Sequence, residues 1–174
     1  MTERYDRLDD ALAMGPRILI GGNGLKRTLR TAARFGHEWN SIVLTPEDYK
    51  TSVAILERHC AEVSRGTDVG RDPAEIHKST LLFAITGPDR APEDLVTRRF
   101  IDMMAPGQNL TVDDIRSNRT AHPAFVRTQE ELIDRLGRLG EAALQEVVFE
   151  HFCTESDDVP EWLAAQIVPA VENF

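Results

Sequence analysis

The chain has 174 residues, enough for one hydrophobic core that needs no disulfide or metal to hold it. Its 29 acidic residues outnumber 20 basic ones, and a net charge of -9 is the wrong sign for a surface that neutralises nucleic-acid phosphates. At 41% hydrophobic and 28% charged it has a globular composition, and no apolar run approaches the ~18 residues of a membrane span.

In chain order, residues 3–13 predict an amphipathic helix with Leu8, Ala11 and Leu12 on one face. The acidic, non-apolar start lacks the pattern of a signal peptide, and the expectation is a soluble cytoplasmic protein. After Pro16, Arg17–Ile20 predicts a short strand running into Gly21-Gly22-Asn23-Gly24, and Leu25, Leu29, Ala32 and Ala33 then recur at helical spacing up to Gly36. Trp39–Leu44 predicts a second strand. Thr45-Pro46-Glu47-Asp48 is a helix start, with a capping hydroxyl, a proline in the first turn and carboxylates at the positive dipole end. Tyr49, Val53, Leu56, Cys60 and Val63 form that helix's apolar stripe. Ser64–Asp72 predicts a loop, His77–Thr86 a third strand, and Pro92–Met104 a helix with Leu95, Phe100 and Met103 or Met104 inward. Residues 105–123 are polar and turn-rich, and Ala124–Val126 is a fragmentary strand candidate. Thr128 caps a helix through Leu132, Leu136 and Leu139, Glu146–Phe152 predicts the last strand, and Pro160–Glu172 the last helix.

Strands alternating with helices mean βα units in a parallel sheet. The four visible strands, five at most, fall short of a closed barrel of eight, which takes roughly 250 residues. The expected fold is α/β: a partial (β/α)8 barrel of about four parallel βα units, or a small open sheet.

The strongest site candidate is the segment Ile18–Arg27, where a buried strand opens through a glycine loop into a helix. Glycines let a backbone approach an anion closely, and the first-turn N–H groups and dipole favour phosphate. Lys26 and Arg27 stand in the first turn, where positive charge opposes the dipole, and a bound anion accounts for both. The segment is neither a P-loop nor the GxGxxG dinucleotide fingerprint, because Arg27 stands where the third glycine belongs. A tight βα turn with solvated basic residues fits the same spacing, so both readings stand.

His37, Trp39 and Asn40 flank the second strand: an amide there can hydrogen-bond a heterocycle, while a core indole and a turn asparagine are the plainer reading. Glu150 and His151 fall at the carboxyl end of the last strand, the functional rim of parallel βα sheets, or else simply its solvated exit. His59 beside Cys60 reads as a helix-surface histidine next to a buried thiol, and Met103-Met104 as core. Asp113-Asp114 and Asp157-Asp158 read as helix caps rather than metal ligands. Cys60 and Cys153 lie far apart without CxxC spacing, so neither a disulfide framework nor a zinc site is implied. No catalytic acid or base can be named.

PRILIGGNGLKRTLRTAARFGHEWN resembles the signature of the luciferase-like flavin and deazaflavin oxidoreductases, the bacterial luciferase superfamily. TPEDYKTSVAILERHCAEV with GRDPAEIHKST is similar to the next βα unit of that family, PAFVRTQEELIDRLGRLGEAALQEVVFEHF to a late helix–strand unit, and EWLAAQIVPAVENF to the closing helix. The resemblance implies a βα barrel that binds coenzyme F420 or FMN and acts on a small organic substrate, with neither nucleic acid nor membrane as partner. It assigns the cofactor phosphate to Gly21, Gly22, Asn23 and Gly24, supported by Lys26 and Arg27, with Asn40 as a further contact. The wording KRTLRTAARFGHEWN is closer to the F420-dependent branch, where a hydride passes between deazaflavin and substrate, than to the FMN-dependent monooxygenases. The match covers only the carboxyl-terminal half of the barrel. Residues 1–174 therefore read as one truncated domain, to be completed by a second copy in a homodimer or by a complementary barrel half. A non-catalytic cofactor-binding or assembly module is the alternative.

Overall fold

The computed structural model describes residues 15–66, 71–83, 90–118, 128–151 and 157–172. Four strands make one parallel sheet in chain order: β1 (Leu19–Gly21), β2 (Glu38–Ile42), β3 (His77–Phe83) and β4 (Glu146–Glu150). Parallel neighbours need crossovers. These are α1 (Thr28–Phe35), α2 (Pro46–Gly66), and a longer passage through α3 (Arg90–Met104), α4 (Val112–Asn118) and α5 (Gln129–Glu141). After β4 the chain forms α6 (Asp158–Trp162), a π-helical turn over Leu163–Ile167, and α7 (Val168–Val171). The fold is α/β, with four parallel strands in one sheet joined by helices, as the alternation of periods implies. The helix expected over residues 3–13 and the strand fragment Ala124–Val126 lie outside the described residues.

Local chemistry sets the element ends. The Thr45 hydroxyl accepts from the Asp48 N–H at 3.1 Å and donates to the Asp48 carboxylate at 2.8 Å, which starts α2. Thr128 accepts from the Glu131 N–H at 3.2 Å to start α5. Thr111 and Asp114 cap each other at the head of α4: Asp114 N donates to the Thr111 hydroxyl at 3.1 Å, and Thr111 N donates to the Asp114 carboxylate at 2.8 Å. Hydrogen bonds from the Thr111 hydroxyl and N–H hold the Asp114 carboxyl below its usual range. The last turn of α1 is closed by Arg71, whose guanidinium donates to Ala33 O at 3.1 Å and to Gly36 O, a cation at the negative end of the dipole.

Strand alternation and register divide the sheet into two faces. Trp39, Ser41, Lys78, Thr80 and Leu82 are buried on the helix-covered face with Val43 at its edge, against Leu29, Ala32 and Ala33 of α1, Tyr49 and Leu56 of α2, and Leu132, Leu136 and Leu139 of α5. The Trp39 and Tyr49 rings stack with centroids 5.4 Å apart. The buried Ser41 hydroxyl donates to Thr80 Oγ1 at 2.7 Å, and Lys78 Nζ donates to the carbonyls of Pro73 and Ile76, each at 3.2 Å. The Tyr49 hydroxyl is buried with no hydrogen-bond partner among the described residues, and burial raises its ionisation above the ordinary range. Tyr49→Phe removes that unsatisfied group and keeps the stack, so it should stabilise the chain by about 0.5–1 kcal/mol in urea unfolding. A loss of stability would show that the hydroxyl has a partner.

Three expectations are corrected. Helix α2 continues to Gly66 instead of giving way to loop at Ser64, because Ser64 and Arg65 are compatible with a helix; the rest of the expected loop up to Gly70 lies outside the described residues. The turn-rich stretch contains α4, whose seven residues are too few to display a helical period. In α3 the buried side is Thr97, Phe100 and Ile101, with Phe100 edge-on to Phe83; Leu95, expected inward, is exposed, and of the alternatives Met103 or Met104, Met103 is 50% exposed while the side chain of Met104 lies outside the described residues.

Candidate functional site

The glycine loop stands at the carboxyl end of β1, the rim where parallel βα folds place their ligands. Its shape follows from a few bonds. Gly22 has φ +117°, a conformation open to glycine and strained for other residues, and its N–H donates to Asn40 O at 2.9 Å. The Trp39 indole N–H reaches across from β2 to Gly22 O at 3.0 Å. Asn23 continues the sheet with its side chain: Nδ2 donates to Ile42 O at 2.7 Å while Oδ1 accepts from Ile42 N at 2.9 Å. Beyond Ile42 the β2 backbone turns left-handed at Val43, φ +48°, an uncommon state for a β-branched residue and one found at functional rims.

This bracing leaves the outer side of the loop open. Asn23, Gly24, Leu25, Lys26 and Arg27 are exposed, and the N–H groups of Asn23 through Lys26 meet no acceptor among the described residues. The first turn of α1 has no acidic residue and no side-chain cap, against the usual preference of a helix start. At Gly24 a Cβ would stand 2.7 Å from the Thr28 hydroxyl, so a side chain there displaces Thr28. The turn is held from behind by His59, whose Nε2 is 3.0 Å from Leu25 O and whose Nδ1 is 3.3 Å from Glu62 Oε2. A ring lying between two acceptors donates to both when it is protonated.

Asn40 lies opposite Gly21 in the register, on the face away from the helices. Its Nδ2 donates to Ser79 Oγ at 2.8 Å, and Ser79 donates to Glu38 Oε1 at 2.6 Å, so the amide belongs to a polar chain across β2 and β3. On the same face His77 and Glu146 join β3 to β4 at 2.9 Å. The structure therefore gathers Gly21, Gly22, Asn23, Gly24, Lys26 and Arg27 at one rim and ties them to Asn40 through its backbone. Glu150 ends β4 at the same rim, and His151 follows it. Trp39 is a core residue whose polar edge fixes the loop. Nothing in the sequence signals that His59 touches Leu25, because they are thirty-four residues apart with no shared motif.

No protein-family model matches the chain, and no curated protein matches it. Solved structures do. An F420-dependent secondary alcohol dehydrogenase, in complex with an F420-acetone adduct, superposes with a TM-score of 0.57 at 18% identity, over 89% of this chain and 48% of that one. The coenzyme F420-dependent tetrahydromethanopterin reductase from Methanopyrus kandleri gives 0.57 at 15% identity, over 88% of this chain and 50% of that one. EDTA monooxygenase from Chelativorans sp. BNC1 gives 0.57 at 16% identity, over 90% and 44%. The chain spans about half the length of the solved proteins it matches and has the fold of part of their βα barrel.

Proposed function

We propose that this chain is the cofactor-phosphate half of a luciferase-like oxidoreductase, most consistent with F420-dependent hydride transfer to or from a small organic substrate. The observation that carries the reading is the braced glycine loop at the carboxyl end of β1, with its open N–H groups beside Lys26 and Arg27. That arrangement fits a phosphate: glycines, N–H groups that meet no acceptor among the described residues, a helix amino terminus and two exposed cations lie within one short segment. The fold supports the same reading, since two of the matched structures are F420-dependent enzymes.

In this reading Gly22 gives the loop its shape, its own N–H being engaged with Asn40 O, while the N–H groups of Asn23 and Gly24 face the phosphate. Lys26 and Arg27 supply opposite charge, and Asn40, through its backbone, holds the loop at the strand rim. The bound cofactor supplies the redox chemistry, and the chain binds and orients it. Residues 1–174 act as one domain, the carboxyl-terminal half of the barrel, working with a second copy or a complementary half. The likeness to EDTA monooxygenase favours a second reading, an FMN-dependent monooxygenase using the same loop. A non-catalytic binding module would bind cofactor without turnover.

Fluorescence titration of the purified chain with F420 and, separately, with FMN tests the proposal. Saturable binding with preference for F420 is expected. Preference for FMN would move the assignment to the monooxygenase branch, and binding of neither by a folded chain would overturn the site.

A further inference from the structure

We infer that two copies of this chain close an eight-stranded parallel barrel, β4 of each pairing with β1 of the other in one defined register. The inference rests on the sheet and is independent of the cofactor reading. Both outer strands, β1 and β4, run parallel and have a neighbour on one side only among the described residues. The sheet matches about half of the solved barrels it resembles.

Barrel geometry fixes how two such sheets would meet. A barrel of eight parallel strands advances by about eight residues in one circuit, so each of two identical halves must advance by about four. The observed register shows that advance. Following the sheet across from Gly21 leads to Asn40, then Ser79, then Glu146, whereas β4 ends four residues later, at Glu150. Closure with the required shear therefore sets Glu150 beside Gly21 of the second copy, Val148 beside Leu19, and Glu146 beside Arg17. An offset of opposite sign would place no β4 residue beside β1.

The residues so paired suit one another. Leu19 is 53% exposed and Val148 41% exposed, and both lie on the face away from the helices, so each covers the other's apolar surface. Arg17 and Glu146, both exposed, are of opposite charge. On the other face, a groove of about 350 Å³ beside β4 is lined by Leu144, Val147, Phe149, Ile167, Val168 and Val171. Alternation puts Ile18 and Ile20 of the second copy against it, which covers Ile18 and Val168, now 45% and 54% exposed. A two-fold axis along the barrel makes every contact twice and leaves no open edge, the arrangement that blunts edge-to-edge aggregation. Charge, apolar surface and register thus agree on a second copy as the occupant.

Sedimentation of the 174-residue chain should give twice the mass of the 19.5 kDa monomer. Val148→Lys should weaken the dimer by about 30-fold or more, with an unchanged circular dichroism spectrum, because Val148 is exposed in the single chain. For register, Leu19→Cys and Val148→Cys chains are mixed under oxidising conditions. Neighbouring strands lie about 4.8 Å apart, within disulfide reach, so the mixture should form a covalent dimer. Each variant alone controls for coupling through Cys60 or Cys153. A single-chain mass, the result if a different protein pairs with these edges, would overturn the inference. So would a dimer that fails to cross-link in the mixture, or an open-ended polymer.

Discussion

Gly22→Asp should weaken binding of F420 or FMN by about a hundredfold or more, equivalent to ~2.7 kcal/mol. Two effects act together. The backbone at φ +117° strains any residue with a Cβ, at about 1–3 kcal/mol, and a carboxylate in the loop repels the phosphate it is meant to hold. Gly22→Ala separates them, because it carries the strain without the charge. The alanine variant should keep most of the affinity at reduced stability, whereas the aspartate variant should lose binding beyond that. Isothermal titration of the wild type and both variants makes the comparison, and equal affinity of Gly22→Asp and wild type would remove phosphate from this loop. Little steric effect is expected, since a Cβ at this position would find its nearest neighbour, Thr28 Cγ2, at 3.7 Å.

The second large effect concerns the residue that shapes the loop from inside the core. Trp39→Ala should destabilise the chain by about 3–5 kcal/mol, a large share of the roughly 5–15 kcal/mol typical of a domain. The indole is fully buried, stacks on Tyr49 and donates to Gly22 O. Trp39→Phe keeps much of the apolar contact but leaves the Gly22 carbonyl without its indole donor, and should cost about 1–2 kcal/mol. Urea unfolding reports both losses as a fall in midpoint at constant slope. If Trp39→Phe also lowers cofactor affinity while Tyr49→Phe does not, the indole N–H is the link between core and loop. Equal effects of the two phenylalanine variants on affinity would assign the result to packing alone.

The fold is legible in the sequence through its alternation of periods. Each of the four strands shows because a short β-branched or apolar run lies between helical stripes, as Arg17–Ile20 does before the stripe of Leu29, Ala32 and Ala33. Thr45 and Thr128 announce their helices because a capping hydroxyl sits at a fixed distance from the N–H it accepts. Helix α4 is legible only at its start, where Asp113-Asp114 read as caps, because its seven residues cannot show a period. Leu95 is misplaced because an apolar residue type says nothing about which side of a half-amphipathic helix faces solvent.

At the site, the glycine loop and its cations are legible from composition at the end of a strand. Their bracing is not. The bonds from Trp39 to Gly22, Asn23 to Ile42 and His59 to Leu25 join residues seventeen to thirty-four positions apart, and such pairings exist only once parallel strands lie side by side. The engagement of the Gly22 N–H with Asn40 is likewise a product of sheet register. It shifts the expected phosphate donors from the whole glycine run to its later members.

The most direct test of the phosphate site compares ligands with and without that group. FMN against riboflavin, and F420 against its phosphate-free deazaflavin riboside, are titrated into the wild-type chain at fixed ionic strength. The phosphate-bearing member of the preferred pair should bind at least about tenfold more tightly, equivalent to ~1.4 kcal/mol, and Lys26→Ala with Arg27→Ala should remove most of that difference. Equal affinity within both pairs would contradict a phosphate site at Gly21–Arg27.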